Sequence, residues 1–430
     1  MQDTVARRVP VVERRFLWPF CLVTTLFLSW ALAASLNDVL IRHFQSALDL
    51  TRGQSSFIQF AFYIGYFCAA LPAGFVIRRS GYKSGILVGL VLYAVGALAF
   101  YPAAQARSYA DFLVALYVIA FGLAFLETSA NPYVAILGDP ATGSARLNLA
   151  QSAYGLGAVA GPAIGGLLIL SDVDHSRAEL NQLSPAAAEA FRTAAAAAVQ
   201  TPYLCIGVAV SILAVAVALT RLPDARLSDI RRSPATGVSH SLFKVLRHRK
   251  LRWAIVAEFF YVGAQVGIWS FFIDFCKDVM PALKQQQIAY LLSASLATLI
   301  VGRFSGAFIQ QRFDPARHLA LYAAVNILLC VTAASTTGVA AIAALWWTTF
   351  FMSIMFPTIF ALGVTDVGPD AELASSFLIM SIIGGALIPP SMGLLADRLG
   401  GVQHIMIVPA GCFVVCLLFA LYCASPRIKT

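Results

Sequence analysis

Long apolar stretches alternate with short polar segments along the whole chain. Spanning a bilayer takes roughly 20 apolar residues in a helix, and about twelve stretches reach that length. The pattern predicts an all-α membrane protein. Its helices are expected near residues 16–38, 55–77, 84–104, 110–137, 147–170, 202–220, 253–275, 286–309, 318–335, 340–363, 373–396 and 403–424.

Two short patterns occur twice, once in each half of the chain. The fourth and tenth helices share P-x-x-x-x-L-G, starting at Pro132 and Pro357, and the fifth and eleventh share P-x-x-G-x-L, starting at Pro162 and Pro390. The offsets between the copies are nearly equal, which indicates an internal repeat. We therefore predict two parallel six-helix halves. Their expected bounds are 1–220 and 253–430, with a linker over 221–252.

Basic residues collect in particular connections. The net charge is +9 although only 12% of residues are charged, against about a quarter in soluble proteins. The linker 221–252 carries nine basic and two acidic residues, and the segments 1–15 and 78–83 are also basic. Positive loops stay on the cytoplasmic side. The charge therefore predicts both termini in the cytoplasm of a multi-pass inner-membrane protein, and it is not taken as a nucleic-acid surface.

One acid lies within the apolar run 121–138. Glu127 is followed one helical turn later by Asn131, and Pro132 removes a backbone donor there, which favours a bend or break. Charged residues inside membranes are rare and usually face a cavity. Since burial disfavours the ionised form, Glu127 is expected to take up a proton. The alternative is a structural ion pair with Arg303.

Several longer motifs resemble those of the L-fucose permease group, in the fucose/galactose/glucose branch of the major facilitator superfamily. They are Leu36-Asn37-Asp38, the Glu-Thr-x-Ala-Asn-Pro run from Glu127, Arg146-Leu-Asn148-Leu-Ala-Gln151, and Tyr261-Val-Gly-Ala-Gln265. The resemblance covers nearly the whole chain. It implies the major facilitator fold and a solute site between the halves.

The same resemblance implies a sugar:proton symporter whose first candidate substrate is L-fucose. Asp38 and Glu127 would carry protons, Asn37 and Asn131 would line the sugar site, and Gln151 would face the cavity. No cofactor is needed beyond the proton gradient, and a monomer in the lipid bilayer is expected. For Asp38 the alternative is a carboxylate in water at a helix end.

Further polar residues are candidates for sugar binding. Asn148, Gln151 and Tyr154 recur every third residue and form one stripe on the fifth helix, which could instead join helices to one another. On the seventh helix, Gln265 and Trp269 lie one turn apart. The Gln265 amide could bind sugar hydroxyls, and the Trp269 ring could stack on the apolar face of a sugar. Packing against lipid is the alternative for Trp269.

The chain departs from the group at a few positions. Fucose-type members carry Asn where this chain has Tyr154, and Gln-Tyr where it has Met355-Phe356. Such exchanges can change which hydroxyl pattern fits a sugar site. Arg78 replaces an acid in the facilitator loop signature G-x-x-x-D-R-x-G. The resemblance therefore favours a monosaccharide more strongly than it favours L-fucose.

Other functions have weaker support. Residues 157–166 match G-x-x-x-G-P-x-x-G-G, which resembles drug:proton antiporters, although such glycines also allow close helix packing. The chain contains no zinc-protease, serine-hydrolase or P-loop motif, so an enzyme is not expected, and neither a metal site nor a disulfide is assigned. Glu258, Asp274 and Arg303 are left without a role. Glu258 is expected to snorkel towards the basic linker.

Overall fold

The structure, a computed structural model, describes residues 10–47, 52–168, 199–223, 242–365 and 367–425, together with isolated positions between 184 and 197. Within these residues, eleven helices are long and apolar enough to cross a membrane, judged by length and composition. Gly143–Leu168, a helix of 26 residues, completes the twelve. The predicted all-α membrane fold is confirmed.

The membrane helices are numbered here in chain order, and the tenth and eleventh each consist of two parts. They are α1 Leu17–Ala47, α2 Arg52–Ser80, α3 Tyr82–Ala106, α4 Tyr109–Ile136, α5 Gly143–Leu168, α6 Gln200–Leu219, α7 Arg249–Val279, α8 Gln285–Ile309, α9 Pro315–Ser335, α10a Gly338–Met352, α10b Met355–Val364, α11a Ala371–Met380, α11b Gly384–Leu399 and α12 Ile407–Ala424. Shorter helical turns occupy Arg14–Phe16, Pro140–Thr142, Leu242–Val245, Gly368–Asp370, Ser381–Ile383 and His404–Met406.

Local residues fix several helix ends. The Ser108 side chain accepts a hydrogen bond from the Asp111 backbone N–H at the start of α4. Asp314 accepts one from the Arg317 N–H at the start of α9, where Pro315 is the first helical residue. Both arrangements satisfy backbone donors that lack a partner inside the helix.

Two prolines in equivalent places have different effects. α4 continues through Pro132 to Ile136, so of the predicted bend or break the break is wrong, and the bend stays a prediction. In the second half, α10a ends at Met352 and α10b begins at Met355. Pro357 has no N–H to donate to the carbonyl of Ser353, four residues earlier. The interruption therefore lies in α10, and it leaves backbone carbonyls available to other partners.

The helices form two groups of six. In the first group α3 packs against α4 and α6, and α1 packs against α5; in the second α7 packs against α11 and α12, and α9 against α12. The groups meet where α2 contacts α11a and where α5 contacts α8 and α10b. We call the side on which odd-numbered helices begin the inner face, which the charge pattern predicts to be cytoplasmic. These contacts close that face.

The glycines of α5 lie against α1. A Cβ atom at Gly157 would stand 2.4 Å from the Leu28 carbonyl oxygen, and one at Gly161 would stand 2.5 Å from the Ser35 Cβ. Only glycine permits so close an approach of two helices. Gly157 and Gly161, the first two glycines of the stretch that resembles the antiporter signature, thus have a packing role in this chain.

Candidate functional site

Glu127 lies on α4 at the junction between the two groups of helices. Its side chain is only 8% exposed, and Oε1 accepts a hydrogen bond of 3.4 Å from the Tyr66 hydroxyl on α2. Its other oxygen, Oε2, has no hydrogen-bond partner among the described residues. Among the described residues Glu127 forms no ion pair with Arg303, whose guanidinium binds two backbone carbonyls instead. The structural ion pair considered above is therefore wrong.

Two amides lie beside this acid. Gln151 on α5 donates from Nε2 to Oδ1 of Asn131 on α4 over 3.1 Å, and both side chains are buried. The Asn131 Nδ2 group has no partner among the described residues. Glu127 and Asn131 are one turn apart on one helix face. The face therefore presents an unpaired acceptor and an unpaired donor, which suits a ligand carrying hydroxyl groups.

Arg303 on α8 is buried, and no carboxylate among the described residues pairs with it. Its Nη1 donates to the Gln151 carbonyl over 2.6 Å, and its Nε donates to the Ser353 carbonyl over 3.1 Å. The guanidinium also lies 5.2 Å from the centre of the half-buried Tyr154 ring, a cation–π contact. Pro357 explains the second bond, because the Ser353 carbonyl has lost its helical donor. Arg303 thus joins α5 of one group to α10 of the other.

Asn148 takes part in closing the inner face. Its Nδ2 donates to Oε1 of Gln310 on α8 over 2.9 Å and lies 3.4 Å from the Thr358 hydroxyl on α10b. Gln310 also donates to Thr358 over 2.9 Å. All three residues are buried. In this conformation Asn148 joins helices to one another, the alternative considered above, and a direct sugar contact stays a prediction.

Two further contacts cross between α2–α3 and α11a. Nη1 of Arg78 lies 3.4 Å from Oδ1 of Asp370, and the Tyr82 hydroxyl donates to Oε1 of Glu372 over 3.4 Å. The loop-signature departure at Arg78 therefore places a cation opposite an acid at the start of α11. The resulting pair is partly exposed and adds to the closure of the inner face.

The candidates on α7 bind within their own group of helices. Nε2 of Gln265 donates to the Tyr261 hydroxyl over 2.8 Å, and Tyr261 in turn donates to the Met352 carbonyl at the end of α10a. The Trp269 indole N–H donates to the buried Thr349 hydroxyl over 3.3 Å. Because the indole N–H of Trp269 contacts α10a, Trp269 does not face only lipid in this structure.

Asn37 and Asp38 lie within α1, but their side chains are outside the described residues. Their roles stay predictions. Sequence reasoning missed Tyr66, Gln310 and Thr358 as partners of the site. Gln310 follows directly after an apolar span, and an amide at that position was the available signal.

Taken together, the helices and the buried polar groups define a multi-pass membrane transporter with two halves around a central polar site. A family model of the Major Facilitator Superfamily matches residues 19–381. The L-fucose-proton symporter of Escherichia coli (strain K12) is 40% identical over 409 residues, covering 95% of this chain and 93% of that protein. A glucose/galactose transporter of Brucella abortus biovar 1 is 36% identical over 405 residues, covering 93% and 92%.

A solved structure gives the same result. The crystal structure of the major facilitator superfamily transporter FucP in the outward conformation superposes with a TM-score of 0.88 at 40% identity, covering 96% of this chain and 100% of that one. The chain therefore belongs to the major facilitator superfamily, within the group that contains these sugar transporters. The resemblance seen in the sequence is confirmed.

Proposed function

We propose that this protein imports a monosaccharide together with protons, by alternating access between its two halves. The observation that carries the proposal is Glu127, a buried acid beside two amides at the junction of the halves, for which the described part of the chain supplies no counter-ion. An ionised carboxylate is costly in such a place, so the acid takes up a proton readily. Named relatives that transport fucose, glucose or galactose support the same function.

The closed inner face corresponds to a state that opens outward. Protons from outside neutralise Asp38 and Glu127, and sugar then binds between the halves. Rocking of the halves opens the inner face, and Glu127 releases its proton there. The residues we assign to the sugar are Asn37, Asn131, Asn148, Gln151, Tyr154, Gln265 and Trp269.

Arg303 supplies a reason for proton release on opening. It is bound to the Gln151 carbonyl of one half and the Ser353 carbonyl of the other. Separation of the halves breaks the bond to Gln151 and leaves a buried cation with a free donor. Because Arg303 already interacts electrostatically with Glu127, this cation then favours the ionised form of the acid.

L-fucose is the first candidate among monosaccharides. Of the positions at which the chain departs from fucose-type members, Met355 is buried and accepts a contact from Asn326 Nδ2, whereas Tyr154 borders Arg303 at the junction. We therefore expect Tyr154 to have the larger effect on sugar choice. The drug:proton antiporter alternative is weaker, because Gly157 and Gly161 of its motif are occupied in packing against α1.

The same proposal includes the placement of the protein. We infer a monomer in the inner membrane with both termini in the cytoplasm, halves at 1–220 and 253–430, and a basic cytoplasmic linker between them. The proton gradient is its energy source, and neither an enzymatic reaction nor a cofactor is assigned.

Uptake into proteoliposomes with an imposed inward proton gradient tests the function. L-fucose should accumulate and the accumulation should collapse with an uncoupler, in parallel assays with D-galactose, D-glucose and a lipophilic cation. Glu127→Gln should abolish accumulation but retain sugar exchange. Glu13→Gln, which neutralises a partly exposed acid paired with Arg15, is the matched control and should accumulate normally. Full accumulation by Glu127→Gln would refute the role of this acid, and proton-driven export of the cation would favour the antiporter.

A further inference from the structure

A second buried acid lies in the C-terminal half. Glu258 on α7 is 0% exposed, and neither of its carboxyl oxygens has a hydrogen-bond partner among the described residues. No described basic residue forms an ion pair with it. The prediction that Glu258 snorkels towards the linker is therefore wrong, because a snorkelling side chain reaches water or a charged partner.

The elements packed against α7 offer Glu258 no counter-charge. α10 carries no charged residue between Gly338 and Val364. From α12, the titratable neighbour is Cys416, whose thiol donates to the Ala257 carbonyl over 3.5 Å. On α7 itself, Tyr261 is the nearby titratable group, and its hydroxyl is bound to the Met352 carbonyl.

The charged groups of the remaining neighbours are committed elsewhere or lie at helix ends. Arg303 of α8 is bound to two backbone carbonyls. On α11, Glu372 contacts Tyr82 at the inner end, and Asp397 and Arg398 are at the exposed outer end. From the other half, Glu127 is itself an acid and supplies no counter-charge to Glu258.

These surroundings fix the protonation of Glu258 while the inner face is closed. An ionised carboxylate that is fully buried, with neither a hydrogen bond nor a cation among the described residues, is too costly to persist inside a protein, so the group holds a proton. Its position is not isolated from the sugar site, since Gln265 and Trp269 follow it by seven and eleven residues on one face of α7. The basic start of α7 at Arg249 is about 14 Å away along the helix.

We propose that Glu258 is a second proton-binding site of the transport cycle, loaded while the inner face is closed and emptied into the cytoplasm when that face opens. The carboxylate gains a proton from the outer solution and becomes a neutral acid; on opening, the O–H bond breaks, the proton passes to water, and the carboxylate is hydrated. This inference rests on the proposed symport and predicts that each sugar travels with a proton carried by Glu258 in addition to the protons assigned to Asp38 and Glu127.

Two measurements on the full-length protein test it. Infrared difference spectra of the solubilised protein should show a protonated-carboxyl band that Glu258→Gln removes, separate from the band removed by Glu127→Gln. In proteoliposomes, reversal-potential measurements should give a proton:sugar ratio that is lower by one in Glu258→Gln than in the wild type. Glu258→Asp keeps a carboxyl group and should retain the wild-type proton:sugar ratio. It is the variant to measure if Glu258→Gln folds poorly.

Each result has a definite meaning. Loss of the band with a lower ratio supports the proposal. An unchanged spectrum overturns it, and so does loss of the band with an unchanged ratio, because the acid would then be permanently protonated. A wild type that shows no proton-coupled sugar uptake would refute the proposed function instead, and that result is independent of the Glu258 spectrum.

Discussion

Gly74 on α2 provides a direct test of how the inner face closes. A Cβ atom at this position would lie 2.2 Å from the Ser376 hydroxyl oxygen and 3.2 Å from the Glu372 carbonyl oxygen, both on α11a of the other half. The first separation is below any real contact of a Cβ atom, so the Ser376 hydroxyl would have to turn away from its bond to the Glu372 carbonyl or the two helices would have to shift. Gly74→Ala therefore overpacks the protein only while the halves touch, and it has no such effect once they separate.

The size of the effect follows from that contact. Inserting a methyl group into a packed interface costs about 1–3 kcal/mol, which shifts an equilibrium between two conformations by about 5- to 150-fold. Alanine also improves helix propensity by about 1 kcal/mol over glycine. That gain is common to both conformations and cancels. We expect the inner-open population of Gly74→Ala to rise accordingly.

Distances between spin labels at Ser80 and Gln311, exposed at the inner ends of α2 and α8, measure this population. Gly96→Ala is the matched control, because its Cβ would clash 2.7 Å from the Ile119 nitrogen inside the first half. The control should lower thermal stability without changing the distance distribution. Adding Ser376→Gly to Gly74→Ala should restore closure. An unchanged distribution in Gly74→Ala, or an equal shift in Gly96→Ala, would refute the reasoning.

Two further predictions concern the same face. The Arg78–Asp370 pair is partly exposed and worth at most about 1 kcal/mol. Arg78→Asp should therefore open the inner face modestly, and exchanging the charges of both residues should close it again. High salt should reduce the difference in label distances between the wild type and Arg78→Asp. Asn148→Leu should cost the closed state about 1–3 kcal/mol because it leaves buried polar partners unpaired. Adding Gln310→Leu should then cost less than the sum of the single changes, since both belong to one network; additive effects on the label distances would argue against a network.

The number and order of the helices could be predicted from the sequence because a membrane span requires a long apolar run, whatever its neighbours are. The interruption of α10 could not. Pro132 and Pro357 occupy equivalent places in the repeat, yet only the second half is interrupted there. In α10 the freed carbonyls are satisfied by Tyr261 and Arg303, which come from other helices. A helix can be broken inside a membrane only where such partners exist.

The site divides in the same way. Glu127, Asn131 and Gln151 could be found from the sequence, because a polar residue within an apolar span has few explanations. Their partners in the other half could not, since the Arg303–Gln151 bond joins residues 152 positions apart. Helical spacing relates residues a turn or two from one another and carries no information about such contacts. It also could not show that Glu258 lacks a partner.

The charges at the centre of the molecule explain why a buried arginine and two buried acids coexist without an ion pair. An ion pair between Arg303 and Glu127 would keep the acid ionised, because a neighbouring cation favours the charged form, and an acid that stays ionised carries no proton. Arg303 instead binds carbonyls of both halves while the inner face is closed. Without a paired cation in the described part of the chain, Glu127 and Glu258 are therefore free to bind protons in the closed state. In the cycle we propose, opening removes the Gln151 carbonyl from Arg303, and the freed cation then competes with the proton for Glu127.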